Sequence, residues 1–238
     1  MHGFLKVFAL AAVVAGCSAS AEPEIEGVPE FSQEPVLAEL FTSQGCSSCP
    51  PAEAYFETLA DREDVAVIVW HVDVWDTLVH RGSSWKDPYS NPAFTQRLRN
   101  YNLNIRNTPQ IYTPQAIIGG ETTVIGSRTG EVESALTNAK PRLAEVSFID
   151  GEVAVKGGGK GEVIFVRLLR EHSTDVTGGE NKGRKLSGKN IALQGLVLGK
   201  WTGEDTRFAL PELGDGETCA VIVQAPKGGR VLGSGMCG

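Results

Sequence analysis

Long runs of any one character are scarce in this sequence. No stretch of the 238 residues stays basic for long, the formal charge is −7, and only four tyrosines and four tryptophans are present. A nucleic-acid surface needs clustered positive charge and aromatic platforms, so nucleic acid is not an expected partner. The longest clear apolar segment, Val7 to Ala15, is too brief to span a bilayer unaided. No heptad marks a coiled-coil seam. A second Cys-x-x-Cys is missing, which weakens any closed zinc-type site, and the second half holds no catalytic triad, metal motif or long-period repeat. What remains is an apolar fraction of 41%, ordinary for a globular protein, in a chain long enough for one large or two modest domains.

The N-terminus has the pattern of an export signal. Met1 to Lys6 is a short, weakly basic lead, followed by the apolar core, and residues 1–21 read as a signal peptide. Two cleavage sites compete. Val14-Ala15-Gly16-Cys17 resembles a bacterial lipoprotein box that leaves Cys17 lipidated, whereas Ala19-Ser20-Ala21 fits ordinary cleavage with Cys17 discarded. Residues 22–34 are acidic, contain Pro23 and Pro29, and suit a tether. The expected location is the bacterial periplasm or cell envelope, with membrane contact only through the signal or a lipid anchor.

Without Cys17 there remain Cys46, Cys49, Cys219 and Cys237, an even number in an exported chain. Cys219 and Cys237 frame Ala220 to Gln224, the breakers Pro226, Gly228 and Gly229, and Arg230 to Leu232. This reads as a hairpin that sets the two cysteines opposite each other, so a structural disulfide is expected. Cys46-Ser47-Ser48-Cys49 lies instead between the apolar run Val36 to Thr42 and a helical pattern at Ala52, Tyr55, Phe56 and Leu59, with Pro50 and Pro51 in the first turn. A helix start stabilises negative charge and therefore a thiolate.

Val65 to Trp70 is rich in β-branched residues and reads as a buried strand ending in His71-Val72-Asp73-Val74-Trp75-Asp76. Residues 77–112 read as a mainly helical and irregular insertion, with a helix starting at Asn91-Pro92. Thr113-Pro114 then leads into a strand, a Gly119-Gly120 turn, a second strand, and a helix with Thr129 as its candidate cap. This order resembles the thioredoxin fold over 35–142. The segments Glu39 to Pro51, His71 to Asp76 and Tyr112 to Gln115 also resemble an exported bacterial thioredoxin-like family of unknown function, as do Gly178 to Arg184 and Leu198 to Trp201. The resemblance implies an α/β thioredoxin-like domain, with Cys46 as exposed nucleophile, Cys49 as resolver and Pro114 as a cis-proline facing them. Residues 143–238, strand-like pieces between glycine clusters, read as a smaller all-β, sandwich-like domain.

The expected activity is thiol–disulfide exchange, without a cofactor, on protein or small-molecule thiols and disulfides, in concert with a redox partner protein. His71, Asp73 and Trp75 are secondary candidates for proton transfer near the sulfurs, or strand-end, capping and packing residues. Asn181, Lys182, Arg184, Lys185 and Lys189 form a local basic cluster, either a solvated loop or an anion site. Two other readings stand beside exchange: copper(I) or zinc handling by the two thiolates with His71, and an envelope binding protein in which Cys46–Cys49 only staples a turn.

Overall fold

The computed structural model describes residues 34–238. The signal and lipidation readings, Cys17 included, and all but the last residue of the tether lie outside the described residues.

The first half is organised by two buried parallel strands. β1 (Val36–Thr42) and β2 (Val65–His71) pair from Val36 opposite Val65 to Thr42 opposite His71. All seven residues of β2 are buried, as a strand covered on both faces must be. Parallel neighbours need a crossover, and α1 (Pro50–Leu59) supplies it. Its Ala52, Phe56 and Leu59 pack on one face of the pair, against Ala38, Leu40, Val67 and Val69. The other face holds Leu37, Phe41, Ile68 and Trp70, covered by Phe94, Leu98 and Tyr101 of α2 (Pro92–Arg106). Asn91 caps α2 by accepting a hydrogen bond from the Ala93 N–H, and Asn107, at φ +54°, ends it. Between Asp76 and Asn91 the backbone is irregular apart from a bridge between His80 and Ser83.

β3 (Gln115–Ile118) runs antiparallel to β1 and turns through Gly119 and Gly120, at φ +60° and +74°, into β4 (Thr122–Ile125). Two successive positive φ values are what a tight two-residue hairpin demands. α3 (Thr129–Thr137) returns Val132 and Leu136 to the face covered by α1. Thr129 is the first helical residue rather than its cap; Arg128 precedes it without a side-chain capping bond.

The second half has β5 (Ala144–Ile149), β6 (Glu152–Gly157), β7 (Gly161–Asp175), β8 (Lys185–Trp201), β9 (Thr206–Ala209), β10 (Glu217–Gln224) and β11 (Val231–Met236). These strands do not form a sandwich of their own. Four of them continue the first sheet, whose eight strands run β11-β10-β7-β8-β2-β1-β3-β4, while β5, β6 and β9 form a second sheet. The join is parallel, Ile191 of β8 opposite Val69 of β2. Val166, Leu168, Ala192, Ala220 and Ile222 thereby share a core with β1, β2 and α2. The three-stranded sheet packs through Val146, Val153 and Val155 on Val163, Trp201, Val221 and Val223.

One consequence concerns the chemistry. β7 and β8 are long, at 15 and 17 residues, and pair up to Asp175 opposite Lys185. Their connecting loop, residues 176–184, is carried past the end of β2 and over the turn that precedes α1.

Candidate functional site

Cys46 and Cys49 are joined in a disulfide, Cα atoms 5.5 Å apart, at the head of α1. β1 ends at Thr42, Ser43 begins a turn in which its carbonyl accepts from the Cys46 N–H, and the Cys46 carbonyl accepts from the Cys49 N–H. The second turn leads directly into the helix. Pro50 and Pro51 occupy its first positions, so two backbone donors that would otherwise point toward the sulfurs are missing. Hydroxyls stand in that role. Thr113 Oγ1 donates to Cys46 Sγ at 3.3 Å, and Ser48 Oγ lies 3.3 Å from the same sulfur. Trp75 Nε1 donates to Thr113 Oγ1 at 2.9 Å and so orients that hydroxyl.

The Thr113–Pro114 peptide is cis. Pro114 lies under α1 and the end of β4, where its carbonyl accepts from the Gly126 N–H. A Cβ at Gly126 would stand 2.7 Å from Leu40 Cδ1 and 3.2 Å from Ala52 Cβ, so only glycine lets α1, β1 and β4 close at this point.

Cys46 and Cys49 are both fully buried, 0% exposed, although Ser47 and Ser48 between them are exposed. The exposed nucleophile implied by the resemblance is therefore covered in the oxidised protein. Over the cysteine turn lies a loop from the other half of the chain. Asn181 Nδ2 donates to the carbonyls of Gln44 and Cys46, each at 2.9 Å, and Glu180 accepts the Ser47 N–H at 2.9 Å. Arg184 donates to Asn181 Oδ1 at 2.9 Å and fixes which way that amide points. Gly178 and Gly179 press against Ser84 and Trp85 so closely that a Cβ at 178 would stand 2.0 Å from the Ser84 carbonyl oxygen.

Beneath the turn, on the α1 face, lies a buried polar cluster. His71 Nδ1 and Asp87 Oδ2 are 2.7 Å apart, and the same oxygen accepts the Gln44 N–H at 2.7 Å, tying the cluster to the dithiol loop. Thr42 donates to Glu53 Oε1 at 2.6 Å. His172 of β7 completes the group, its ring 6.0 Å from that of His71. Burial opposes a charge on His71, but Asp87, with Glu53 and Asp76 farther off, raises its pKa above the ordinary value. For Asp87 burial is likewise opposed, by the His71 charge and by the N–H groups of Gln44 and Tyr89, and its pKa is lowered. Burial pushes Glu53 up and His172 down, the latter to about 4. The shifts thus favour the charged forms of His71 and Asp87, which face each other, and the neutral form of His172 beside them. Among the described residues no group of three or more His, Cys, Asp or Glu side chains could hold a metal ion.

The sequence candidates separate accordingly. Trp75 reaches the dithiol through Thr113, and Pro114 follows Thr113 across the cis peptide bond. His71 reaches it only through Asp87 and Gln44. Asp73 is held elsewhere: its carboxylate accepts from Thr95 Oγ1 of α2, and it starts a single 3-10 turn. Cys219 and Cys237 form their own disulfide across β10 and β11. The basic cluster is dispersed, because Lys189 pairs with Asp61 while Arg184 holds Asn181. Sequence reasoning passed over Ser48, Thr113, Glu180, Asp87 and Glu53, and saw Asn181 only as part of a charged loop. Pro114, next in the chain, was the readable signal for Thr113; Glu180 and Asn181 act across more than 130 residues and gave none.

Comparison with known proteins places the chain among similar structures without naming an activity. The crystal structure of protein AGR_C_4864 from Agrobacterium tumefaciens is similar at 27% identity, with a TM-score of 0.70 over 88% of this chain and 95% of that one. HBP35 of Porphyromonas gingivalis shares the fold at 14% identity, with a TM-score of 0.59 over 87% of this chain and 76% of that one. No curated protein matches the sequence. Residues 37–224 match the family described as "Protein of unknown function (DUF1223)", and the chain belongs to that family.

Proposed function

We propose that the protein is an exported thiol–disulfide oxidoreductase, thioredoxin-like in its first half, that acts through Cys46 and Cys49. The observation that carries this reading is the pair of hydroxyls, Thr113 Oγ1 and Ser48 Oγ, each 3.3 Å from Cys46 Sγ at the head of α1. A disulfide that only staples a turn has no use for donors aimed at one sulfur; a leaving thiolate does. The order β1–α1–β2, then β3–β4–α3, with β2-β1-β3-β4 adjacent in the sheet, supports the fold assignment. Two disulfides in one chain suit an oxidising compartment, which supports export.

In the oxidising direction a substrate thiolate attacks Cys46 Sγ, the Cys46–Cys49 bond breaks, and Cys49 leaves as the thiolate and takes up a proton. A second substrate thiolate then attacks the substrate sulfur of the mixed disulfide. Cys46 is released as a thiolate held by Thr113 and Ser48. The substrate has lost two electrons to form its disulfide, and the protein dithiol has gained them. The reverse sequence reduces a substrate disulfide. Cys49→Ser is expected to accumulate the mixed disulfide with a model disulfide substrate, Cys46 attacking it and one substrate thiolate leaving, and Cys46→Ser to abolish exchange; equal exchange by all three proteins contradicts the proposal.

A second reading, a structural staple, is favoured by the full burial of both cysteines. The two differ in reduction potential, because a staple is far harder to reduce.

A further inference from the structure

The disulfide is fully buried although its two intervening serines face solvent, and a loop is fastened over its turn. Residues 176–184 form a closed unit: the Val176 N–H donates to the Arg184 carbonyl at 2.9 Å, and the Gly183 N–H donates to the Val176 carbonyl at 2.7 Å. From this neck the loop places an amide and a carboxylate on the cysteine turn. Asn181, 1% exposed, spends both amide hydrogens on the carbonyls of Gln44 and Cys46, flanking the reactive sulfur. Glu180 takes the Ser47 N–H.

These two contacts differ in their dependence on redox state. The Asn181 bonds are neutral and need only the carbonyl positions of the closed turn. The Glu180 contact is anionic. While Cys46 is bonded to Cys49 it is uncharged, and the positive end of α1 with the Ser47 N–H is free to attract that carboxylate. Once the disulfide is broken and Cys46 is a thiolate, two negative groups share one four-residue turn and compete for the same positive end. The other charged or titratable groups facing them are His80, from the 77–84 segment near Glu180, Arg184 beneath Asn181, and Asp87 under Gln44. None removes the competition, since Arg184 is turned to the Asn181 amide and Asp87 is paired with His71.

We propose that the β7–β8 loop is a redox-dependent gate, clamped by Asn181 and Glu180 over the oxidised dithiol and released when Cys46 becomes a thiolate. The proposal rests on the redox reading of Cys46 and Cys49 and supplies what that reading lacks, namely how a partner reaches a buried sulfur. In the oxidised protein the gate limits attack to openings of the loop; in the reduced protein the thiolate holds it open for a disulfide substrate. The release step itself is reduction: a dithiol such as dithiothreitol gives up two electrons and two protons, closes to its cyclic disulfide, and leaves Cys46 and Cys49 as thiols, of which Cys46 ionises.

Hydrogen exchange of the 176–184 peptide in the full chain tests this. Cys49→Ser, which can form the Cys46 thiolate, is compared at about pH 8.5, near the ordinary thiol pKa, with Cys46→Ser/Cys49→Ser, which lacks both bond and charge. Exchange about tenfold faster or more in Cys49→Ser supports a charge-driven gate; equal exchange in the two overturns it. Asn181→Ala, which loses two hydrogen bonds each of modest net strength, is expected to have its Cys46–Cys49 bond reduced by dithiothreitol about tenfold faster than the native protein. An unchanged rate overturns the clamp. Neither readout uses a physiological substrate. If the oxidoreductase reading fails, by a lack of exchange with model substrates, both gate measurements still stand or fall separately, and exchange through a fully protected loop would sink the gate alone.

Discussion

Replacing Thr113 with valine removes one of the two hydroxyls that face Cys46 Sγ and keeps the side-chain shape. In a Cys49→Ser background, where a single thiol titrates, the thiolate of the native site receives hydrogen bonds from Thr113 and Ser48, both oxygens lying 3.3 Å from the sulfur. A hydrogen bond to a charged group contributes about 1.5–3 kcal/mol. Water and the remaining Ser48 hydroxyl recover part of that, so a net loss of about 1–1.5 kcal/mol remains, which corresponds to a rise of about one unit in the Cys46 pKa. The rate of alkylation by iodoacetamide as a function of pH reports it directly. Thr113→Ser keeps the hydroxyl that donates to sulfur and accepts from Trp75 Nε1, and is expected to restore the native profile. If the valine variant titrates like the native protein, or the serine variant like valine, the hydroxyls do not stabilise the thiolate.

Four other outcomes follow from the fold around the site. Arg97→Met strands Glu39, a buried carboxylate that Arg97 Nε approaches at 2.7 Å and Trp70 Nε1 at 2.9 Å; urea denaturation should show a loss of about 3–5 kcal/mol. His172 has a folded pKa of about 4, below its unfolded value, so the unfolded state binds more protons between about pH 6.5 and 4 and stability falls over that window, by about 2 kcal/mol once partial exposure is discounted; His172→Asn should flatten this leg. His71 has the opposite sign: its raised pKa stabilises fully below the unfolded value and the contribution is lost as pH rises through the folded one, a leg that Asp87→Asn should remove. Cys219→Ser/Cys237→Ser opens a cross-link over 18 residues and should lower stability by about 3 kcal/mol without changing exchange at Cys46.

The local half of this architecture was legible in the chain. Val65 to Trp70 could only be a buried strand, Asn91-Pro92 announced α2, and Gly119-Gly120 announced the β3–β4 hairpin, because each signal is complete within a few residues. The joining of β8 to β2 was not legible. Ile191 and Val69 carry apolar side chains that suit any sheet, and nothing local distinguishes a strand extending an existing sheet from one in a separate sandwich. The same limit hid the clamp on the dithiol. Gly178-Gly179-Glu180-Asn181 has the composition of a solvated turn, and its role depends on where two long strands carry it. Asp73 falls to the second of its two readings: a carboxylate two residues after His71 invites a shared role, yet its hydrogen bond to Thr95 commits it to α2.

The central claim is that Cys46–Cys49 is an exchangeable disulfide and not a staple, and its reduction potential tests that most directly. Equilibration of the full chain with thiol–disulfide buffers, with the Cys46–Cys49 and Cys219–Cys237 peptides quantified separately, yields both values. For Cys46–Cys49 the account predicts a potential between about −270 and −120 mV, the range of exchange proteins; a value below about −300 mV, where structural disulfides lie, would contradict it.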